Sequence, residues 1–283
     1  MTRAMLSLTK DARRVGIALV LACVVFVAGC ASSAIPSQPA TMPGVSGSVP
    51  AGYLPSNAIP NSVALLPSPP APDSVAFSLD EEVSKKSLAL RGTPRWTLAT
   101  EDADLNFPRA AGAFSCALNA PITEQNAPHL YLLLRRTLLD VAHSTYAAKD
   151  RYKRARPFVV NKQPICTPAD EKQLMESGSY PSGHAAIGWA WALILTEISP
   201  EQTEAILERG RAYGESRVVC NVHWQSDVIE GAFIGAGTVA RLHADATFLA
   251  DLEAAKAELA AVRVKGLKPL RDCASEVAGG SSK

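Results

Sequence analysis

The chain has 283 residues, 28 Lys and Arg against 27 Asp and Glu, and a hydrophobic content of 47%. That composition excludes wholesale disorder and fibrous repeats, and the length suits one or two globular domains. A net charge of +1 provides no global basis for nucleic-acid binding or for adhesion to an anionic membrane.

Residues 1–29 open with a basic stretch ending at Arg14, followed by Val15 to Val27, apolar apart from Gly16. The run is shorter than the roughly 20 residues that span a bilayer and suits the core of an export signal. It ends in Val27-Ala28-Gly29-Cys30, which resembles the lipid-attachment box of bacterial lipoproteins. That resemblance implies cleavage before Cys30 and lipid on its sulfur. With Ala31 rather than Asp next, it also implies the outer membrane, facing the periplasm. Loss of residues 1–29 leaves 24 basic and 26 acidic side chains. Exported compartments permit disulfides. Cys116, Cys166, Cys220 and Cys273 then allow three pairings, among which sequence alone does not choose. No Cys/His spacing suggests zinc.

Residues 30–72 read as a Pro/Ser/Ala-rich tether. Positions 31–72 hold no charged side chain and 10 of the 20 prolines, too little to bury against the cost of ordering. The folded domain is expected over 73–264, with a flexible tail over 265–283. Ser78-Leu79-Asp80-Glu81 fits a capping box opening a helix towards Leu90. Pro128 starts the longest predicted helix, with Leu130, Leu133, Leu134, Leu138, Val141 and Thr145 on one stripe; it should end before Pro157. His184 to Ile198 is strongly apolar (Ile187, Trp189, Trp191, Leu193, Ile194, Leu195) and reads as a central buried helix. Ser199-Pro200 predicts another N-cap. Gln225 to about His243 forms a helix whose Gly231 and Gly235 permit close approach of a neighbour, and Asp245 to Val262 forms the last. No alternating strand is visible, so the fold class is all-α.

Three blocks stand out: Lys149-x6-Arg156-Pro157, Pro181-Ser182-Gly183-His184, and Ser216-Arg217-x5-His223-x3-Asp227. A phosphate monoester presents three oxygens and nearly two negative charges. The planar forks of Arg156 and Arg217 bind such oxygens in pairs, and Lys149 adds a point charge. Ser182 and Gly183 precede a helix start, where free N–H groups and the positive helix end favour an anion. His223 and Asp227 are four residues apart, so the carboxylate can orient the ring.

The blocks match the type 2 phosphatidic acid phosphatase superfamily, which includes the vanadium haloperoxidases, in residue, order and spacing. Around them, Lys149 to Phe158, Gly178-Ser179-Tyr180, His223 to Asp227 and Ala64 to Pro70 resemble the class A bacterial non-specific acid phosphatases, over about residues 60–262. The resemblance implies a compact helical bundle and a broad-specificity acid phosphatase of phosphate monoesters such as nucleotides and organic phosphates. It implies His223 as nucleophile forming a phosphohistidine, Asp227 as its holder and His184 as general acid and base. Lys149, Arg156, Ser182, Gly183 and Arg217 would bind the phosphate, with no metal or other cofactor. A homodimer or larger homo-oligomer is implied. Nucleic acid is not an expected partner, and contact with a membrane is expected only through the lipid anchor.

Cys166 and Cys220, near the second and third blocks, are a candidate bridge bracing the site. Arg151, Lys153 and Arg154 read as a solvated helix face. His129, His143 and His243 read as structural, and Trp224 as either pocket wall or core. Two departures from the class A pattern, Ala185 and Asn221-Val222, bear on the substrate pocket. The alternatives are a haloperoxidase-like enzyme holding vanadate and a non-catalytic phosphate-binding envelope lipoprotein.

Overall fold

The computed structural model describes residues 50–280. The export signal and Cys30 lie outside them. The main helices are α1 (Val75–Ser87), α2 (Pro94–Glu101), α3 (Pro128–Ser144), α4 (Tyr146–Tyr152), α5 (Gly183–Ile198), α6 (Thr203–Val219), α7 (Gln225–Leu242), α8 (Ala246–Val264) and α9 (Cys273–Gly280). No strand occurs among the described residues. No described helix is long and apolar enough to cross a membrane.

The central helix is α5, packed against α3, α6, α7 and α8. Ala186, Ile187, Trp191, Ile194 and Leu195 are all buried on it, as its lack of a polar face requires. Trp191 keeps its indole N–H satisfied by donating to the Leu134 carbonyl at 3.2 Å. The Gly231–Gly235 spacing brings α7 onto the start of α5. A Cβ at either glycine would collide with backbone, the Ser182 carbonyl in one case and the Ala186 carbonyl in the other.

Several expectations change. The helix from Pro128 stops at Ser144, and α8 is longer. Ser144 Oγ donates to the Val141 carbonyl and Thr145 Oγ1 to the Ala142 carbonyl, each at 2.7 Å. Two successive hydroxyls thus compete with the helical ladder and break it. The α1 cap is Ser74, whose Oγ accepts from the Phe77 N–H at 3.1 Å. Ser78 is mid-helix, and Asp80 turns inward and is buried. Ser199 stands at the N-cap with Pro200 first, as expected, but of a 3-10 helix that leads into α6, and it makes no side-chain cap bond. Pro200–Gln202 form a 3-10 turn, and Ser199 Oγ donates to Glu201 at 3.0 Å.

The presumed tether and tail are also partly built into the domain. The Tyr53 and Leu54 N–H groups donate to the Asp140 carboxylate at 2.8 and 3.0 Å. Burial pushes that carboxyl up to about 6. Ser62 Oγ accepts from the Ala148 N–H at 3.0 Å, and Leu66 is buried. Scattered apolar residues and backbone donors tie residues 50–72 down despite the prolines. At the other end, α9 packs on α2 and is fastened by a Cys116–Cys273 disulfide.

Candidate active site

The first block is positioned by the end of α4. Lys153 has a left-handed backbone, φ 44°, which stops the helix. Arg156 is extended (ψ 155°) ahead of Pro157, as the following proline demands. The buried Arg156 side chain donates to the Leu174 carbonyl at 2.7 Å, the Val222 carbonyl at 2.9 Å and Ser177 Oγ at 2.9 Å. Lys149 Nζ donates to the Gly178 carbonyl at 3.0 Å.

Ser182 is the N-cap of α5, and its Oγ accepts from the Ala185 N–H at 3.2 Å. Its own N–H donates to the Asp227 carbonyl at 2.9 Å. Ser182 therefore offers an incoming anion its hydroxyl rather than its amide. Gly183 and His184 open the helix, where first-turn N–H groups have no intrahelical acceptor.

His223 lies in the turn between α6 and α7. Its Nδ1 is 3.3 Å from Asp227 Oδ2, and its Nε2 is 3.1 Å from Arg156 Nη1. A guanidinium only donates, so the geometry assigns Nε2 as the unprotonated nitrogen and Nδ1–H to the carboxylate. Asp227 is fully buried. It accepts from the Trp224 N–H at 2.9 Å, from Ser179 Oγ and from Arg154 Nη1 at 2.6 Å.

Arg154 is the main residue the sequence reading misplaced. Its side chain is only 8% exposed, and its second arm pairs with Asp80 at 2.7 Å. Asp80 in turn accepts from the Ser226 N–H at 2.8 Å. Arg151 and Lys153 are exposed, as a solvated face requires. A run of basic residues conceals this split, because the left-handed turn at Lys153 redirects the chain. The available signal was Asp80, an acidic residue facing the core side of an amphipathic helix. Trp224 belongs to the same support. Its Nε1–H donates to the Ala155 carbonyl at 2.8 Å, and its ring packs on Phe77 at 5.2 Å.

Arg217, on α6, is buried to 2% exposure. Its Nε and Nη1 have no hydrogen-bond partner within the described residues. Burial pushes Arg217 down to about 10. Burial and Arg217 do the same to Arg156, and burial with Arg156 takes Lys149 to about 7. Both histidines are held well below their ordinary range. For His223 the causes are burial, then Arg156, Lys149 and Arg217; for His184 they are burial and Arg217 foremost. These mutual influences, with the contacts above, bring Lys149, Arg156, His184, Arg217, His223 and Asp227 close to one another. The cluster carries more positive charge than it neutralises, and a bound dianion favours the charged form of each shifted group.

The two sequence departures are absorbed in the packing. Ala185 joins Val218 and Val228 in a small apolar cluster. Val222 is buried with Phe158 and Ile165. Asn221 takes a left-handed φ of 61°, and its amide donates to the Gln163 carbonyl at 2.9 Å. Cys166 is joined to Cys220 by a disulfide, three residues ahead of His223.

Residues 129–248 match the PAP2 superfamily. The non-specific acid phosphatase of Providencia stuartii is 43% identical over 212 residues, covering 75% of this chain and 86% of that protein. The chain belongs to the PAP2-superfamily acid phosphatases. The acid phosphatase of Zymomonas mobilis is 41% identical over 201 residues, covering 71% of this chain and 76% of its own. The non-specific acid phosphatase of Salmonella typhimurium is 40% identical over 200 residues, covering 70% and 80%. As an acid phosphatase, this chain acts on small phosphate esters, and the cationic centre between α4, α5, α6 and the α6–α7 turn suits that class of ligand.

Proposed function

We propose that this acid phosphatase works through a phosphohistidine on His223, without a metal ion, and accepts nucleotides and other organic phosphates broadly. The observation that carries the reading is the buried Arg217 guanidinium with two unpartnered N–H groups, on the same centre as an unprotonated His223 Nε2. Buried donors without acceptors are costly, and a phosphoryl oxygen satisfies them.

In this reading Lys149, Arg156, Arg217, the Ser182 hydroxyl and the Gly183 N–H hold the phosphoryl oxygens. The His223 Nε2 lone pair forms the N–P bond while the P–O bond to the leaving group breaks. His184 gives that oxygen its proton. Water then attacks phosphorus, His184 takes its proton, and the N–P bond breaks to release inorganic phosphate. Asp227 holds Nδ1–H throughout and stabilises the ring as it gains charge. The three cations supply the positive charge a metal would otherwise bring, so EDTA leaves turnover intact.

The same reading places the mature protein in the periplasm as a homo-oligomer, tethered to the outer membrane through lipid on Cys30. The export and the anchor rest on the Val27-Ala28-Gly29-Cys30 motif, and radiolabelled fatty acid incorporated by the native chain but not by Cys30→Ser tests the anchor; the homo-oligomer rests on the family resemblance alone. For the chemistry, rapid acid quench with phosphorus-labelled substrate should trap label on the wild type and none on His223→Ala. An unlabelled wild type, or an active His223→Ala, overturns the mechanism.

A further inference from the structure

Asp102, at the end of α2, is 1% exposed. Its carboxylate is paired by Arg209, through Nη2 to Oδ1 and Nη1 to Oδ2. Ser216 Oγ donates to the same Oδ2 at 2.6 Å and accepts from Arg95 Nη1 at 2.9 Å. Arg95 is anchored separately, through Nη2 to the Ala212 carbonyl at 3.0 Å. Ser216 belongs to the third sequence block, yet its hydroxyl is committed to this cluster. A buried ion pair is an inefficient source of net stability; the next residue shows what this one directs.

The Ala103 carbonyl faces His184 Nε2 at 3.0 Å. A carbonyl only accepts, so Nε2 carries a hydrogen and Nδ1 is the nitrogen left to exchange a proton. The His184 ring also stacks on Tyr213 at 6.5 Å with an interplanar angle of 23°, and the Arg209 guanidinium lies over the ring of that tyrosine at 5.4 Å. The same arginine that grips Asp102 thus backs the platform under His184.

We propose that Asp102 is a positioning residue for the phosphatase reaction: with Arg209, Ser216 and Arg95 it holds the Ala103 carbonyl, which fixes the tautomer and direction of His184. The inference rests on reading His184 as the general acid. Its signature is dependence on the leaving group. Nitrophenolate departs without help, whereas an alkoxide needs a proton in the transition state.

The test compares kcat/KM for p-nitrophenyl phosphate and for glycerol phosphate in the full mature chain, for His184→Asn, Asp102→Asn and Ser216→Ala, with inorganic phosphate affinity measured alongside. His184→Asn should lose at least tenfold more on glycerol phosphate than on the aryl ester. Asp102→Asn and Ser216→Ala should show the same split, with phosphate affinity within about threefold of wild type. Ser216→Ala removes the hydroxyl's bonds to Asp102 and Arg95 and leaves Arg95 anchored on the Ala212 carbonyl, so it reports even if Asp102→Asn does not fold. Equal loss on both substrates, or weakened phosphate binding, in Ser216→Ala and any folded Asp102→Asn overturns the positioning role while leaving His184 as the acid. Absence of the split in His184→Asn overturns the general-acid reading and this inference with it.

Discussion

Replacing Arg217 by Met should stabilise the unliganded enzyme and abolish most of its activity. The side chain is 2% exposed, and two of its N–H donors have no partner. Leaving a buried donor unsatisfied costs about 1–3 kcal/mol. Methionine fills similar volume with no polar atom, so relief of part of that penalty should raise stability by about 1–3 kcal/mol. For a domain of this size that is a Tm rise of roughly 2–4 °C per kcal/mol. Loss of one aimed donor group lowers kcat by about 10²–10³-fold in oxyanion sites, and a buried charged fork should reach at least the upper value. The assay is thermal unfolding with and without saturating phosphate, beside kcat/KM on p-nitrophenyl phosphate. Phosphate should raise the wild-type Tm and move the variant's little. A variant less stable than wild type without phosphate, or one with near-normal turnover, would refute the argument that Arg217 is held unsatisfied for its ligand.

Three further outcomes follow from the same geometry. Arg154→Met leaves Asp80 and Asp227 buried without their shared cation and should cost about 3–5 kcal/mol, read by urea unfolding, with kcat reduced; a change under 1 kcal/mol would place Arg154 outside the support. His184 and His223 are held below their ordinary range, so the unfolded chain binds protons more readily and stability should fall as pH drops below about 6.5. Saturating phosphate should flatten that slope, as should the double variant His184→Asn, His223→Asn, and an unchanged slope in the double variant would assign the acid sensitivity elsewhere. Removing the Cys166–Cys220 bridge, which closes a separation of 54 residues, by a double Ser substitution should cost about 4 kcal/mol in chemical unfolding and lower turnover by loosening the His223 turn; full activity with unchanged stability would contradict a bracing role.

The residues of the proposed phosphate cradle were legible in one dimension because their chemistry is intrinsic. Arg156, Arg217 and Lys149 are cations whatever surrounds them, and the His223–Asp227 spacing alone permits one to orient the other. The apolar period of α5 and the Gly231–Gly235 spacing likewise fix a central helix and its close neighbour, because burial and the absence of a Cβ act locally. Arg154 could not be told from Arg151 and Lys153, since all three share a charge and differ only in where a left-handed residue turns the chain. Asp80 passed as an unremarkable position inside a capping box because its partners lie 74 and 146 residues away. The same holds for Asp102, Arg209 and Ser216, and for Pro-rich residues 50–72, anchored by an Asp140 that no local pattern marks. Composition and spacing determine which groups are present and how each can react. Which cations are left unpaired, as Arg217 is, and which are spent pairing buried carboxylates, as Arg154 is, depends on contacts between segments far apart in the chain and was decided only by tertiary packing.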